Sequence, residues 1–347
     1  MVRVLVVDDS LVFRKQLQMS LSHDSQIEVI ATAIDPMDAR QKIISLHPDV
    51  VTLDVEMPHM NGIDFLKQLI PHYPVPVVVV TSTPTNALDA LSAGAVDFVK
   101  KPVVKSPADM QKFIHDLAHK IRVASTAKVR KTRPQAAAPS LIQRMSASRP
   151  LDQNCLIAIG ASTGGTEAIL AVVKNLPATT PGIIVVQHMP PVFTNMYAQR
   201  LDKICKMSVK EAADNDRVEQ GRILIAAGEH HLRLQKDARG YYIRSQTGDR
   251  VNGHCPSVDV MFNSVADVAK CHVIGVILTG MGADGANGLV RMRKAGAYTI
   301  GQDQASSVVY GMPMEAYKRG GVCKQLPLDQ IPDEILYQLN KHCPCSK

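Results

Sequence analysis

No tryptophan occurs in the 347 residues, and all aromatic residues together make up only 4%. That scarcity argues against a single-strand nucleic-acid binder built on stacked aromatic platforms. Long apolar runs are missing too. A membrane-spanning helix needs roughly 20 apolar residues, whereas the runs Val75–Val80 and Val273–Leu278 are only strand-length. No cysteine precedes Cys155, and the seven in the chain are odd in number and irregularly spaced. A disulfide framework is therefore not expected, as suits a reducing compartment. The opening Met1-Val2-Arg3-Val4-Leu5-Val6-Val7-Asp8-Asp9 meets carboxylates too early for a signal peptide and reads as a first strand. A cytoplasmic, soluble protein is the expectation. With 46% apolar and 20% charged residues, wholesale disorder is excluded, and the length suits two or three domains that each bury a core.

Acidic residues are absent from one stretch, and that absence explains the charge. The net +7 suggests a nucleic-acid footprint until it is divided along the chain. Residues 1–123 carry 12 basic and 14 acidic residues, while 124–150 carry six basic and none acidic. Residues 151–347 add a net charge of only +3. The excess thus lies on Ala124–Pro150, rich in Ala, Ser and Pro and without periodicity, which reads as a flexible, self-repelling linker. The tail His342-Cys343-Pro344-Cys345 has no second Cys/His pair at zinc-finger spacing and reads as a terminus.

Residues 1–123 alternate apolar strands with helical segments, the pattern of a parallel α/β sheet. Strands are expected at Val4–Val7, Glu28–Ala31, Val50–Leu53, Val77–Val80 and Phe98–Val99. Phe13, Leu17 and Leu21 recur every four residues on a helix face, and Asp35-Pro36 and Ser106-Pro107 open two further helices. Chemistry collects at the carboxyl ends of these strands. Asp8-Asp9 follows the first, Asp54 ends the third, Thr81 the fourth, and Lys101-Pro102 follows the fifth. Three carboxylates at one edge repel one another unless a cation sits among them, and an all-oxygen set favours Mg²⁺. A lysine and a hydroxyl beside them suit a phosphoryl group. Any one Asp is explained as a helix cap; all five features at successive strand ends are not.

These residues resemble a response-regulator receiver domain across the whole segment. The resemblance implies a five-stranded flavodoxin-like fold. In Leu53-Asp54-Val55-Glu56-Met57-Pro58 it makes Asp54 the phosphoacceptor, with Asp8, Asp9 and Asp54 holding Mg²⁺. It further makes Thr81 the switch hydroxyl, Phe98 the switch aromatic and Lys101 the phosphate-contacting lysine.

From Leu151 the βα alternation resumes, with strands expected at Cys155–Ile159, Ile183–Gln187, Arg222–Ala226, Val273–Leu278 and Tyr298–Ile300. His231–Gln235 and Gly240–Ser245 read as a hairpin interrupting a second doubly wound, mostly parallel sheet. Gly160-Ala161-Ser162-Thr163-Gly164-Gly165 lacks the lysine of a P-loop and the spacing of a dinucleotide fingerprint. It fits a Gly-x-Ser-x-Gly nucleophile turn, in which small neighbours let Ser162 project. A serine nucleophile needs a base and a group to orient that base. His188 ends the next strand and Asp284 follows a later one, so an open parallel sheet gathers all three on one edge. The Ser, His, Asp order differs from the Ser, Asp, His order of ordinary α/β-hydrolases, which would force His342 in the tail to act as base. His230, His231 and His254 read as structural or substrate-adjacent.

Residues 151–340 resemble the catalytic domain of the chemotaxis protein-glutamate methylesterases. The resemblance lies in Gly160–Gly165, Gln187-His188-Met189-Pro190, Pro256-Ser257-Val258-Asp259, Thr279–Gly285 and Gln302–Pro313. It implies Ser162 as nucleophile, His188 as general base and acid, Asp284 as its orienter, and the Met281 backbone N–H as oxyanion donor. Cys255 stands where that family usually has Arg, and Ala227 where it often has Pro. No cofactor is implied for the hydrolysis. The implied partners are methyl-accepting chemoreceptors as substrate and a chemotaxis histidine kinase as phosphodonor, with no nucleic acid and no membrane insertion. The implied control is that the unphosphorylated receiver restrains the hydrolase. A DNA-binding regulator would instead carry a basic helix-turn-helix module after the linker. A catalytically silent scaffold would have no reason to keep Ser162, His188 and Asp284 in context.

Overall fold

The structure, a computed structural model, describes residues 1–57, 61–103, 106–129 and 155–341. Most of the expected linker, the tail from His342 and Pro58 of the Asp54 motif lie outside those residues. The chain falls into two compact units, and each folds around its own sheet.

In the first unit the order is β1 (Val2–Val7), α1 (Leu11–Leu21), β2 (Ile27–Ala33), α2 (Pro36–Leu46) and β3 (Val50–Asp54). There follow α3 (Gly62–Leu69), β4 (Val77–Thr81), α4 (Pro84–Ser92), β5 (Asp97–Lys100) and α5 (Pro107–Ser125). The five strands pair in parallel in the order β2-β1-β3-β4-β5. Strands β3 and β4 are buried at every position, which is why they read as unbroken apolar runs rather than alternating ones. Local chemistry sets the helix starts. Asp35 caps α2 ahead of Pro36, and Ser106 and Asp109 form a reciprocal capping box at α5, again with a first-turn proline. Helix α5 runs through Ser125.

The second unit opens with β6 (Cys155–Ala161), α6 (Gly165–Val173), β7 (Ile183–Gln187), α7 (Phe193–Ile204), β8 (Ser208–Glu211) and β9 (Arg222–Ile225). A hairpin, β10 (His230–Asp237) and β11 (Gly240–Thr247), precedes α8 (Val258–Val268). The remainder is β12 (His272–Ile277), α9 (Ala286–Lys294), β13 (Tyr298–Gln302), α10 (Met312–Lys318), β14 (Lys324–Leu326) and α11 (Ile331–Lys341). Seven strands form one sheet in the order β14-β13-β12-β6-β7-β9-β8, every pair parallel. The edge strands β8 and β14 were not expected. They read Ser-Val-Lys-Glu and Lys-Gln-Leu, half-wet edges with no apolar signature. The hairpin stands outside this sheet and buries Leu232, Leu234 and Ile243 in one core with Met261 and Phe262 of α8.

From β6 the chain winds outward through β7 to β9 and β8, then returns to build β12, β13 and β14 on the other side. The order reverses around β6, and such a switch point leaves a crevice at the carboxyl ends of the strands.

Candidate active site

At the carboxyl edge of the first sheet, Asp8 and Asp54 are buried at 1% and 2% exposure, and Asp9 is exposed. One carboxylate oxygen from each of Asp8, Asp9 and Asp54 lies within 4.8 Å of the others. Lys101 Nζ stands 2.5 Å from Asp54 Oδ2 and 3.1 Å from Asp8 Oδ2. Burial raises the Asp8 pKa, with the Asp54 charge adding, and Lys101 only partly offsets it. Burial works against the Lys101 ammonium as well, but the hydrogen bond and charge of Asp54, with those of Asp8, prevail and raise its pKa. Arg14 Nη1 donates to the carbonyls of Asp8 and Asp9 at 2.6 and 2.9 Å, fixing the acidic loop. Three carboxylates against one ammonium leave a surplus of negative charge on oxygen donors, and that set suits a hard divalent cation.

Thr81 is fully buried, yet its hydroxyl makes no hydrogen bond to Asp54 among the described residues. It donates to Glu56 Oε1 at 3.2 Å. Ser82 Oγ and Thr83 Oγ1 donate to the same carboxylate at 2.5 and 2.6 Å. Burial acts to raise the Glu56 pKa, but these hydroxyl bonds outweigh it and the value is lowered. Phe98 is buried at 4% exposure, with Lys120 Nζ 4.9 Å from its ring centre.

In the second sheet, β6 and β7 pair Ala161 with Gln187. Ser162 and His188 immediately follow those paired strand ends. Ser162 N–H donates to Thr279 O at 3.0 Å, and Gln187 Nε2 donates to Ser162 O at 2.9 Å, so the serine backbone is held from both sides. A Cβ on Gly280 would lie 2.7 Å from Ser162 Cβ and 2.4 Å from Met312 Sδ; only a glycine lets the Thr279–Gly285 loop approach this closely. The Gly280 carbonyl accepts from Gly311 and Met312 N–H, and Gln302 Oε1 accepts from Thr279 N–H. Those bonds give the Gln302–Pro313 motif its part: it carries the loop opposite Ser162.

Asp284, 1% exposed, is gripped by five donors. Ser257 Oγ and Asn252 Nδ2 each approach Oδ1 at 2.8 Å, Val258 N–H meets Oδ2 at 2.7 Å, and Asp259 N–H meets Oδ1 at 3.2 Å. The fifth is His188 Nε2, 2.8 Å from Oδ2. Two of the N–H donors form the first turn of α8, where the helix dipole favours a negative charge. Burial opposes ionisation of Asp284, but the His188 bond and charge with the Asn252 and Ser257 bonds drive its pKa far below the usual carboxylate range. A carboxylate has no proton to give, so His188 Nε2 carries the hydrogen and donates. His188 Nδ1 is buried and has no partner among the described residues, which leaves it as the basic nitrogen. Ser162 Oγ makes no hydrogen bond to His188 here; nucleophile–base contacts commonly tighten only when substrate is present. The Met281 N–H, in a residue 42% exposed, likewise has no partner among the described residues.

Sequence reasoning overlooked Asn252, which holds Asp284, and read His254 only as structural or substrate-adjacent. The His254 ring stacks on His188 at 3.7 Å between centres and 10° between planes. It also quoted Pro256-Ser257-Val258-Asp259 without a role; that motif supplies three of the five donors on Asp284. Only the Asn252-Gly253 dipeptide, a strong turn signal, was available to draw attention to the loop.

A receiver-type sheet with an acidic pocket, in one chain with a doubly wound sheet carrying Ser, His and Asp, defines a response regulator with a hydrolase-type output. The model for the CheB methylesterase family matches residues 157–335, and that for the response regulator receiver domain matches residues 4–115. The chain belongs to the CheB methylesterase family. It is 51% identical to a protein-glutamate methylesterase/protein-glutamine glutaminase of Syntrophomonas wolfei, covering 97% of each chain. The protein of that name from Escherichia coli K12 is 45% identical over 98% of this chain and 97% of its own. The solved CheB methylesterase catalytic domain of Thermotoga maritima is 37% identical, covering 53% of this chain and 97% of that one, at a TM-score of 0.51.

Proposed function

We propose that this chain is a phosphorylation-activated hydrolase that demethylates glutamyl methyl esters on methyl-accepting chemoreceptors and deamidates receptor glutamines, in chemotactic adaptation. The observation that carries the chemistry is the buried Asp284–His188 pair beside Ser162 at the sheet's switch point. Residues 1–123 act as receiver, 124–150 as tether and 151–347 as the catalytic domain, in the cytoplasm. No helix among the described residues is long and apolar enough to cross a membrane, which fits action on the exposed helices of a receptor.

In the first step His188 Nδ1 takes the Ser162 proton and Ser162 Oγ bonds to the ester carbonyl carbon. The developing oxyanion is met by the Met281 N–H. Asp284 holds the imidazole in place and stabilises it when doubly protonated. The carbon–methoxy bond then breaks, and His188 returns the proton so that methanol leaves. Water, deprotonated by His188, attacks the acyl-serine and frees the glutamate carboxylate and Ser162. A glutamine side chain passes through the same steps with ammonia leaving. In the receiver, Asp54 accepts a phosphoryl group from a chemotaxis histidine kinase. Asp8, Asp9 and Asp54 are the residues that would hold Mg²⁺, whose chemistry there is to neutralise the incoming charge. Lys101 contacts the phosphoryl oxygens, while Thr81 and Phe98 report the change.

The test is methanol release from methylated receptor membranes, with and without a small-molecule phosphodonor. Ser162→Ala and His188→Ala should each lower it by about 10⁴-fold, the scale for losing a triad member. Asp54→Asn should abolish the response to phosphodonor. Near-normal release by Ser162→Ala would end the assignment.

A further inference from the structure

Between β11 and α8 the chain makes a tight reversal at Val251–His254. Val251 and His254 exchange both backbone hydrogen bonds at 3.0 Å, and Asn252 and Gly253 have φ of +53° and +83°. Positive φ at both central residues is the type I′ hairpin turn, for which Asn-Gly is the preferred pair. The turn's backbone requirement explains an asparagine at this position. It does not explain where the side chain goes.

Val251, Asn252 and Gly253 are exposed residues, yet the Asn252 amide reaches two buried carboxylates. Nδ2 lies 2.8 Å from Asp284 Oδ1 and 2.8 Å from Asp259 Oδ2. An amide NH₂ has two hydrogens, one for each acceptor. The other Asp259 oxygen accepts from Gly288 N–H of α9 at 2.6 Å. The amide is thus a neutral bridge between two carboxylates that would otherwise repel each other. One of those carboxylates holds His188 through its remaining oxygen.

We infer that Asn252 is a positioning residue, whose amide fixes the rotation of the Asp284 carboxylate so that Oδ2 meets His188 Nε2. The inference rests on the proposed role of Asp284 in the reaction. Asn252 touches neither substrate nor the reacting atoms in this scheme; it acts through Asp284. Ser257, Val258 and Asp259 come from the helix start, whereas Asn252 is the one side-chain donor that arrives from the turn. Its loss removes the bridge to Asp284 and Asp259 and leaves the Ser257, Val258 and Asp259 donors in place.

The experiment uses Asn252→Gly and Asn252→Asp in the full-length protein. Both residues accept positive φ, so the turn is kept while the donor is removed or replaced by a third carboxylate. Methanol release from methylated receptor membranes should show kcat lowered about ten- to a hundredfold in Asn252→Gly, with KM within about twofold. Asn252→Asp, which sets a charge against Asp284 and Asp259, should fall further. By proton NMR, the His188 Nε2–H resonance should shift or broaden in Asn252→Gly while the backbone fingerprint of the sheet stays in place. Wild-type kcat in Asn252→Gly with an unmoved imidazole resonance overturns the inference, as does an Asn252→Asp protein no worse than wild type. Substantial turnover by Ser162→Ala would instead sink the triad reading, and the NMR arm would still report whether Asn252 orients the Asp284–His188 pair.

Discussion

Thr81 Oγ1 donates to Glu56 Oε1 at 3.2 Å and not to Asp54, so the hydroxyl expected to follow the phosphoryl group is held by another acid. Glu56 stands two residues past Asp54 and gathers donors from Thr81, Ser82, Thr83 and Asn86. On the proposed phosphorylation, Asp54 would have to compete with it for Thr81. Glu56→Ala removes both the rival acceptor and a negative charge near Asp54. Phosphorylation by a small phosphodonor should therefore run about fivefold faster, the equivalent of roughly one net hydrogen bond. Rates of label incorporation measure it, and an unchanged rate would show that Glu56 exerts no hold.

Asp8 carries a raised pKa, so ionising it costs the folded state more than the unfolded one. The sign is the reverse of a salt-bridged carboxylate: the penalty is full above the folded pKa, shrinks as pH falls below it and is gone below the unfolded pKa. Asp8→Asn should then stabilise the receiver domain in divalent-free buffer at neutral pH. The gain should shrink as pH falls toward the ordinary carboxylate value of about 4. Thermal melts over a descending pH series test this, and a variant less stable than wild type at neutral pH would contradict it.

Gly280→Ala sets a Cβ 2.4 Å from Met312 Sδ and 2.7 Å from Ser162 Cβ. Something must move, and the loop and the serine are the parts that can. Overpacking of this kind costs about 1–3 kcal/mol, and a displacement of the proposed nucleophile near 1 Å costs about a hundredfold in rate. Ester hydrolysis should drop by that order while the receiver is phosphorylated normally. Full activity would mean the loop yields without disturbing Ser162.

The thiol of Cys205 is pushed up to about 11, by burial first and the Asp202 charge second. At pH 8 only about one part in a thousand is thiolate, the reactive form. Cys323, exposed at the surface, should be alkylated well before it. Peptide mass spectrometry after brief iodoacetamide treatment distinguishes the two, and Cys205 labelling should accelerate steeply by pH 10.

Strand and helix placement was legible where burial leaves a one-dimensional trace. Strands β1, β3, β4, β6, β7 and β12 are buried on both faces and read as apolar runs, and the caps at Asp35 and Ser106 are local in sequence. Strands β8 and β14 left no such trace, because a short, mostly polar edge strand is held by its neighbour's backbone. The seven-stranded sheet was therefore wider and more uniformly parallel than expected.

By itself the sequence determined which chemical groups stand at strand ends. Asp8, Asp9, Asp54, Thr81 and Lys101 follow strands in the first sheet, and Ser162 and His188 follow neighbouring strands in the second. Parallel connection brings all carboxyl ends to one edge, so those groups had to converge. Tertiary structure decided how each is held. Asn252 is 32 residues from Asp284, Glu56 25 from Thr81 and Lys101 47 from Asp54. Side-chain hydrogen bonds are directional and short-ranged, and at such separations no periodicity or local propensity encodes them. Packing alone aimed the Asn252 amide at Asp284, turned His188 Nε2 to the same carboxylate and left Nδ1 without a partner among the described residues.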